Sequence, residues 1–264
     1  MRSFATIGAG NMGQAILRGA FAAGVLSPAE TLVVDPDPAR RASLAALGCP
    51  IDADPAAAHG CGTIMLAVKP QVFPEVAARL GTLEAPTIVI SIMAGVRSER
   101  IRAALGDQAR VVRVMPNTPA QLRCGMAAIA SGAGAEPGDD DLARRLFEAI
   151  GLAIEVPEDM MDAVTAVSGS GPAYIFLLAE AMEEGARRLG FDDNQARVLV
   201  SQTVLGAATL LAAERGDPTA LRAAVTSKGG TTAAAIESML GAGILDAIVR
   251  GIAAAEARGR ELGQ

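Results

Sequence analysis

The sequence predicts an α/β domain with a doubly wound, mainly parallel sheet, followed by an all-helical domain. Short apolar runs alternate with helical stretches up to about residue 156, as expected of strand–helix–strand units. Beyond that point only alanine- and leucine-rich helical stretches follow. One of them, 193–214, is apolar around most of its circumference, which indicates burial against a second subunit. We therefore expect domains at 1–157 and 158–264, the second serving dimerisation.

The individual elements follow from these periodicities. Strands are expected at 3–7, 31–34, 63–67, 87–91, 110–115, 126–130 and 152–156. Helices are expected between them at 11–23, 38–47, 72–80, 97–105 and 139–149, with a glycine-rich surface loop at 131–137. The second half should contain helices at 159–167, 172–189, 193–214, 218–225, 231–240 and 245–262.

Composition narrows the function classes. The net charge is −6 and no basic stripe is interleaved with aromatic residues, so we expect no nucleic-acid partner. The longest apolar stretch, 197–214, contains Ser201, Gln202 and Thr203 and is shorter than the ~20 residues of a membrane span, so we expect no membrane partner.

Cysteine and histidine usage bears on compartment and chemistry. Cys49, Cys61 and Cys124 are odd in number and widely spaced, which is typical of reduced thiols in a cytoplasmic protein. The single histidine, His59, lies in a polar turn, which argues against a histidine-based triad or zinc site. We expect no metal, and chemistry that depends on a cofactor, hydroxyls and backbone amides.

A glycine motif follows the first strand. Strand 3–7 runs into Gly8-Ala9-Gly10-Asn11-Met12-Gly13 and then into a helix, which is G-x-G-x-x-G in its required context. In this motif the first glycine permits a tight turn, the second admits a pyrophosphate, and the third lets the helix pack on the strand. Strand 31–34 ends in Asp35, about twenty residues on, where such folds place a ribose-binding acid. The alternative is a glycine turn that only connects two elements. We predict a Rossmann-type dinucleotide-binding domain.

Further candidates follow the carboxyl ends of other strands, where open α/β sheets bind ligands. We expect them to line one crevice together with the glycine loop. The competing interpretations are a solvated cation at Lys69 and a turn-capping amide at Asn117. The candidates are Ala67, Val68, Lys69, Pro70, Ala94, Gly95 and Asn117.

The segment 225–232 combines glycines, hydroxyls and a helix start. Two glycines allow close approach of a ligand, and the first turn of the helix has unpaired N–H groups with a partial positive charge. The pattern suits a small carboxylate, although a plain N-cap after a glycine turn would have the same composition. The candidate ligand-binding residues are Ser227, Gly229, Gly230, Thr231 and Thr232, with Lys228 beside them. A second glycine–hydroxyl segment, 168–172, opens the helix 172–189.

Taken in order, these motifs resemble the pyrroline-5-carboxylate reductase family over nearly the whole chain. The first matching motif is shared with many dehydrogenases, whereas the last two are specific to the family. The motifs are IGAGNMG at 7–13, AVKP at 67–70, VMPNTP at 114–119, AVSGSGPAY at 166–174 and TSKGGTT at 226–232. Many members have proline where this chain has Lys228.

The resemblance implies an activity and a site. The reaction would be reduction of 1-pyrroline-5-carboxylate to L-proline by NADH or NADPH, with an active site at the interface of a homodimer or larger homo-oligomer. The substrate carboxylate would lie on the amides of Gly229, Gly230 and Thr231, assisted by Ser227. The Thr232 hydroxyl matches the family position that hydrogen-bonds the ring nitrogen, which makes Thr232 the candidate catalytic residue. The source of the proton stays open.

We expect the residues that follow the second strand to decide between NADH and NADPH. NADP-preferring members of the family carry small polar and basic residues there, whereas this chain has Asp35 followed by Pro36 and Asp37. A carboxylate at Asp35 would accept hydrogen bonds from both ribose hydroxyls and repel a 2′-phosphate, although Arg40 or Arg41 could still reach one. We expect NADH, or use of both nucleotides.

Two other functions are compatible with parts of this pattern. A related reductase acting on hydroxy acids or other imines would share the architecture, but segments 226–232 and 168–172 disfavour it. A non-catalytic dinucleotide sensor would bind the cofactor without turnover.

Overall fold

The structure, a computed structural model, describes residues 3–214 and 217–262. The chain divides into two compact units. The first takes in the chain up to Ser170 together with the residues from Ala254 onward, and the second is Gly171–Ala253. The domain boundary expected between residues 157 and 158 stays a prediction, since residues 158–170 make their contacts within the first unit.

The first unit is built on one eight-stranded sheet in the order β3-β2-β1-β4-β5-β6-β7-β8. Strands β1 to β6 are parallel to one another, which confirms the predicted fold class. The chain moves outward from β1 first through β2 and β3 and then through β4, so the strand order reverses next to β1. The strands are β1 Phe4–Ile7, β2 Thr31–Val34, β3 Ile51–Asp52, β4 Thr63–Leu66, β5 Thr87–Ser91, β6 Ala109–Met115, β7 Gly125–Ser131 and β8 Gly151–Glu155.

Six helices accompany the sheet and match the expected positions to within a few residues. Two of them have a proline in the first turn: α3 has Pro74, and α2 begins at Pro38 after Asp37, whose carboxylate accepts the Ala39 N–H. The helices are α1 Asn11–Ala22, α2 Pro38–Ala45, α3 Phe73–Leu80, α4 Ser98–Leu105, α5 Asp141–Glu148 and α6 Met161–Val164. The helix expected at 159–167 is shorter, because a π-helical turn over Thr165–Gly169 follows α6 directly.

Two features of the sheet were not predicted. Strand β3 has only two residues, both exposed, so it has no apolar periodicity to detect. Strand β7 is antiparallel to β6, and β8 runs parallel to β7. The connection from β6 to β7 is too short for the crossover that a parallel neighbour requires, whereas α5 supplies such a crossover between β7 and β8.

The central strands of the sheet are buried on both faces. Every residue of β1, β2 and β4 is buried, which explains why these strands read as continuous apolar runs without alternation. One face packs against α1 and α5 through residues such as Met65, Ile90 and Phe147. The other packs against α3 and α4 through Leu66, Val89 and their neighbours. The first unit therefore has a complete core of its own.

A buried polar network joins β6 and α4 to the chain after β8. The Glu158 carboxylate accepts hydrogen bonds from the Ser98 backbone N–H at 2.8 Å and from the Ser98 hydroxyl. The same carboxylate pairs with Arg113 at 3.1 Å, and the Arg113 side chain is 7% exposed. Burial alone would raise the pKa of Glu158, but the bonds from Ser98 and Arg113 outweigh it, so this pKa lies below its ordinary value.

We expect this network to make the fold sensitive to acid. Because the pKa of Glu158 is lowered on folding, its stabilisation is complete above the ordinary glutamate pKa of about 4.3 and is lost as the pH falls through the lower folded value. Glu158→Gln should therefore cost about 1–3 kcal/mol at pH 7. Unfolding measured between pH 3 and 8 should show this cost shrinking as the medium becomes acidic. Glu148→Gln, on an exposed position of α5, is the control, and a cost that did not change with pH would contradict the assignment.

The second unit consists of α7 Gly171–Arg188, α8 Asp193–Glu214, α9 Pro218–Ala224, α10 Thr231–Gly241 and the greater part of α11 Ile244–Leu262. Among the residues described in this unit, only Ala196 and Val200 are buried. Large apolar side chains are exposed on four of its helices, including Ile175, Phe176, Leu177, Val198, Leu199, Leu205, Leu210, Leu211, Met239, Leu240, Ile248 and Val249. Taken as a single chain, this unit has almost no core.

Helix α8 has the bounds that the sequence predicts, 193–214. By length and composition it could cross a membrane, and α10 with α11 could do so if that pair, bent by 52°, counted as one span. The expectation that its apolar stretch is too short to span a membrane was wrong, since 21 residues, Asp193–Ala213, are long and apolar enough by this measure. The same length and composition are expected of a helix that a partner subunit covers.

Candidate functional site

The glycine loop after β1 is constrained at its two ends and open in the middle. Gly8 has a φ of +104°, and a Cβ there would lie 2.4 Å from the Ala67 carbonyl oxygen. A Cβ on Gly13 would lie 2.7 Å from the Gly8 carbonyl oxygen. Gly10 has an ordinary φ of −70°, and a Cβ there would meet nothing within 4 Å. The open space at Gly10 is therefore available to a ligand that approaches the backbone.

Helix α1 begins where this space lies. Gly10 is its N-cap, and no side chain in the part of the chain that the structure describes caps its first turn. The unpaired N–H groups after Gly10, which include those of Asn11 and Met12, together with the helix dipole, suit a phosphate. The loop thus fits a dinucleotide pyrophosphate.

The peptide groups on both sides of Ala9 are held by side chains. The Ala9 N–H donates to Asp35 Oδ2 at 2.7 Å, and the Gln14 side-chain amide donates to the Ala9 carbonyl at 2.9 Å. Gln14 in turn accepts a hydrogen bond from the Ser43 hydroxyl at 3.1 Å. These bonds tie the glycine loop to β2, α1 and α2. Gln14 and Ser43 were missed in the sequence analysis, because neither belongs to a motif and only the fold brings them together.

Asp35 lies at the carboxyl end of β2 as predicted, but its carboxylate faces the protein. The side chain is 3% exposed, and its second oxygen accepts the Asp37 N–H at 2.9 Å. Arg40 lies 3.6 Å from Asp35 and 3.4 Å from Asp37, and it is half exposed. Arg41 instead donates to the Asp35 and Pro36 carbonyls and holds the turn. Contact between Asp35 and a ribose stays a prediction.

Neighbouring parallel strands bring three other candidate segments to the same edge of the sheet. Ile7, Leu66 and Ser91 are in register across β1, β4 and β5. Segment 67–70 therefore lies next to the glycine loop, segment 94–95 follows it along this edge, and β6 places 116–117 next in order. Among these candidates Lys69 and Ala94 are exposed, Ala67, Val68 and Pro70 are partly buried, and Gly95 is buried.

Asn117 is engaged within the protein. Its side-chain oxygen accepts the Met126 N–H at 2.9 Å, and its side-chain nitrogen donates to the Ser168 carbonyl at 3.2 Å. The amide therefore cross-links the loop after β6 to β7 and to the π-helical turn. A role for Asn117 in nucleotide binding stays a prediction.

In the second unit, the segment 226–232 forms a tight turn followed by a helix start. The Gly230 N–H donates to the Ser227 carbonyl at 3.0 Å, and Gly229 has a φ of +72°, as the third residue of a type II turn requires. Gly230 is then the N-cap of α10, and no side chain of the described residues caps this helix either. The first turn of α10 presents unpaired N–H groups beside the Ser227 hydroxyl and the Thr231 and Thr232 side chains.

This geometry changes one detail of the sequence prediction. The Gly230 amide is already bonded to Ser227, so the amides left for an anion are those of Thr231 and Thr232 and the next residue of α10. The absence of a side chain at Gly230 keeps the space beside Ser227 open, since a Cβ there would lie only 2.4 Å from the Ser227 hydroxyl oxygen. The segment therefore retains the features of a small carboxylate site.

Residues 3–214 and 217–262 contain no candidate metal-binding site. No group of three or more histidine, cysteine, aspartate or glutamate side chains converges there in a way that could hold an ion. His59 lies exposed at the end of a short 3₁₀ turn and hydrogen-bonds the Leu80 carbonyl at the end of α3.

Comparison with known proteins extends these observations. Residues 158–262 match the family described as pyrroline-5-carboxylate reductase dimerisation, and residues 3–95 match the one described as NADP oxidoreductase, coenzyme F420-dependent. Pyrroline-5-carboxylate reductases of Synechocystis sp. and Methanosarcina acetivorans are each 41% identical to the chain, with 98% of this chain and 97% of theirs aligned. The structure of a pyrroline-5-carboxylate reductase from Coxiella burnetii superposes with a TM-score of 0.91 at 34% identity, covering 100% of this chain and 99% of that one.

The fold and the glycine-loop site define a dinucleotide-binding oxidoreductase with an added helical dimerisation domain. The full-length relatives narrow this class to one group. The chain belongs to the pyrroline-5-carboxylate reductase family.

Proposed function

We propose that the protein reduces 1-pyrroline-5-carboxylate to L-proline with NADH or NADPH, the last step of proline biosynthesis. The family of its full-length relatives supports this reaction. The structural observation that carries it is the uncapped start of α10 after the glycine turn, because a substrate with one small carboxylate needs such a group of donors.

The substrate carboxylate binds at the turn that precedes α10. The amides of Thr231 and Thr232 donate to it, and the Ser227 hydroxyl and the open backbone of Gly229 and Gly230 complete its surroundings. The partial positive charge of the helix start favours the anion and fixes the orientation of the ring.

The Thr232 hydroxyl orients the imine nitrogen. It lies in the first turn of α10 and is partly buried, so it is held next to the carboxylate donors. A threonine hydroxyl is too weak an acid to protonate the imine, so the proton arrives on the substrate or from water. A reduced nicotinamide, when bound, supplies the hydride that the carbon of the C=N bond receives.

The dinucleotide binds along the carboxyl edge of the sheet. The amides after Gly10 hold the pyrophosphate, and Gly8 and Gly13 keep the loop in the shape that this contact requires. The segments at 67–70 and 94–95 follow neighbouring strands and contact the remainder of the nucleotide, with Asn117 beside them.

The working form is a homodimer. The exposed apolar side chains of α7, α8, α10 and α11 need a covering surface, and the dimerisation family covers this region. Cys49, Cys61 and Cys124 form no disulfide bond with one another, in line with the cytoplasmic location proposed here.

A turnover assay tests the reaction. Purified protein should oxidise NADH or NADPH in the presence of pyrroline-5-carboxylate, with L-proline formed in equal amount. A panel of hydroxy acids with the oxidised nucleotides should show no comparable turnover. Turnover with hydroxy acids alone would favour the related reductase, and nucleotide binding without any turnover would favour a sensor.

A further inference from the structure

The charged residues after β2 differ sharply in how accessible they are. A side chain that is exposed when the ligand is absent can contact the ligand without rearrangement of its neighbours. The Asp35 side chain is 3% exposed, whereas that of Asp37 is 43% exposed and that of Arg40 is 52% exposed. By this criterion Asp37 and Arg40 are better placed than Asp35 to meet the adenosine ribose.

The contacts of Asp35 indicate a structural role in the glycine loop. One carboxylate oxygen accepts the Ala9 N–H from the glycine loop, and the other accepts the Asp37 N–H. On the opposite side, Gln14 bonds the Ala9 carbonyl and is itself bonded by Ser43. Together Asp35 and Gln14 fix how the loop peptides are oriented just before Gly10, where the amides face the open space.

Arg40 and Arg41 also differ in the groups that they contact. Arg41 donates to the carbonyls of Asp35 and Pro36, so its guanidinium holds the turn and faces inward. Arg40 lies between the carboxylates of Asp35 and Asp37, and its positive charge is balanced by both. A 2′-phosphate approaching Arg40 would have to compete with Asp37, which carries a like charge.

We infer that Asp37 and Arg40 decide between NADH and NADPH, and that Asp35 is a positioning residue for the glycine loop. This inference rests on the proposed function only in requiring that the protein bind a nicotinamide dinucleotide. Asp37 accepts from the 2′-hydroxyl of NADH and, by neutralising Arg40, disfavours the 2′-phosphate of NADPH.

The first test changes the preference at Asp37. Asp37→Ser keeps an oxygen that can cap α2, so the helix is retained while the charge is removed. The dissociation constants of NADH and NADPH, measured by nucleotide fluorescence, should shift at least tenfold in favour of NADPH. Adding Arg40→Met to this variant should abolish the gain. A ratio unchanged in Asp37→Ser would overturn the inference.

The second test concerns Asp35. Asp35→Asn replaces one of the two accepting oxygens with an NH2 group, so the side chain can no longer accept from both the Ala9 N–H and the Asp37 N–H, and both nucleotides should bind about tenfold more weakly. The NADPH-to-NADH ratio should change less than in Asp37→Ser. Gln14→Leu, which releases the other side of the same loop, should weaken both nucleotides in the same way.

A control separates loop positioning from loss of stability. Glu158→Gln also removes a partly buried carboxylate from the first unit, but Glu158 bonds Ser98 and Arg113 and not the glycine loop, so both dissociation constants should stay unchanged. If Asp35→Asn weakens NADH alone and shifts the ratio more than Asp37→Ser does, Asp35 contacts the ribose and the inference is wrong. Because binding is measured without substrate, the outcome stands even if the protein reduces another imine.

Discussion

Replacing Val198 and Leu205 with lysine is expected to eliminate the dimer and, with it, the activity. The two residues are seven positions apart on α8, so they lie on one stripe of the helix, and they are 57% and 60% exposed in the single chain. If a partner covers this stripe, the double variant buries two unpaired charges, each of which costs several kcal/mol. Light scattering should show monomer or aggregate, and NAD(P)H oxidation with pyrroline-5-carboxylate should fall to background.

The nucleotide-binding unit should survive this change because its core is complete without the helical unit. The matched control is Ala103→Lys with Ala104→Lys, which adds the same two charges to exposed positions of α4. That control should remain dimeric and active. A folded, fully active monomer of the α8 variant would refute both the interface and an active site formed by two subunits.

Replacing Gly230 with valine is expected to raise KM for pyrroline-5-carboxylate at least tenfold. A Cβ at this position would lie 2.4 Å from the Ser227 hydroxyl, and the branched side chain would extend over the start of α10. The substrate carboxylate would lose charge-assisted hydrogen bonds that contribute about 1.5–3 kcal/mol. The backbone of Gly230 has an ordinary φ of −80°, so the effect comes from the occupied space and not from strain in φ.

Two measurements show whether this effect is local. The dissociation constants of NADH and NADPH should barely change, because the glycine loop belongs to the other unit. Gly62→Val serves as a matched substitution, since Gly62 is exposed and its nearest neighbour would be 3.7 Å from the new Cβ. Equal loss of substrate and nucleotide affinity in Gly230→Val would point to misfolding and count against the carboxylate site.

Local sequence patterns predicted most of the architecture. The strands β1, β2 and β4 are apolar apart from one threonine each because they are buried on both faces, and this composition is visible in the sequence. The two-residue strand β3 and the antiparallel direction of β7 were not predictable in this way. The first has too few residues for a pattern, and the second depends on how short the connection from β6 is.

The sequence by itself determined the fold class, the position of the glycine loop and the helix start that follows Gly230. These features are local, since each depends on residues adjacent in the chain. Only the tertiary structure decided that Asp35 is buried against Ala9 while Asp37 is exposed, and that the Asn117 amide is held by Met126 and Ser168. Those roles depend on which side chains distant in sequence meet in space, and accessibility is a property of the assembled sheet and its loops.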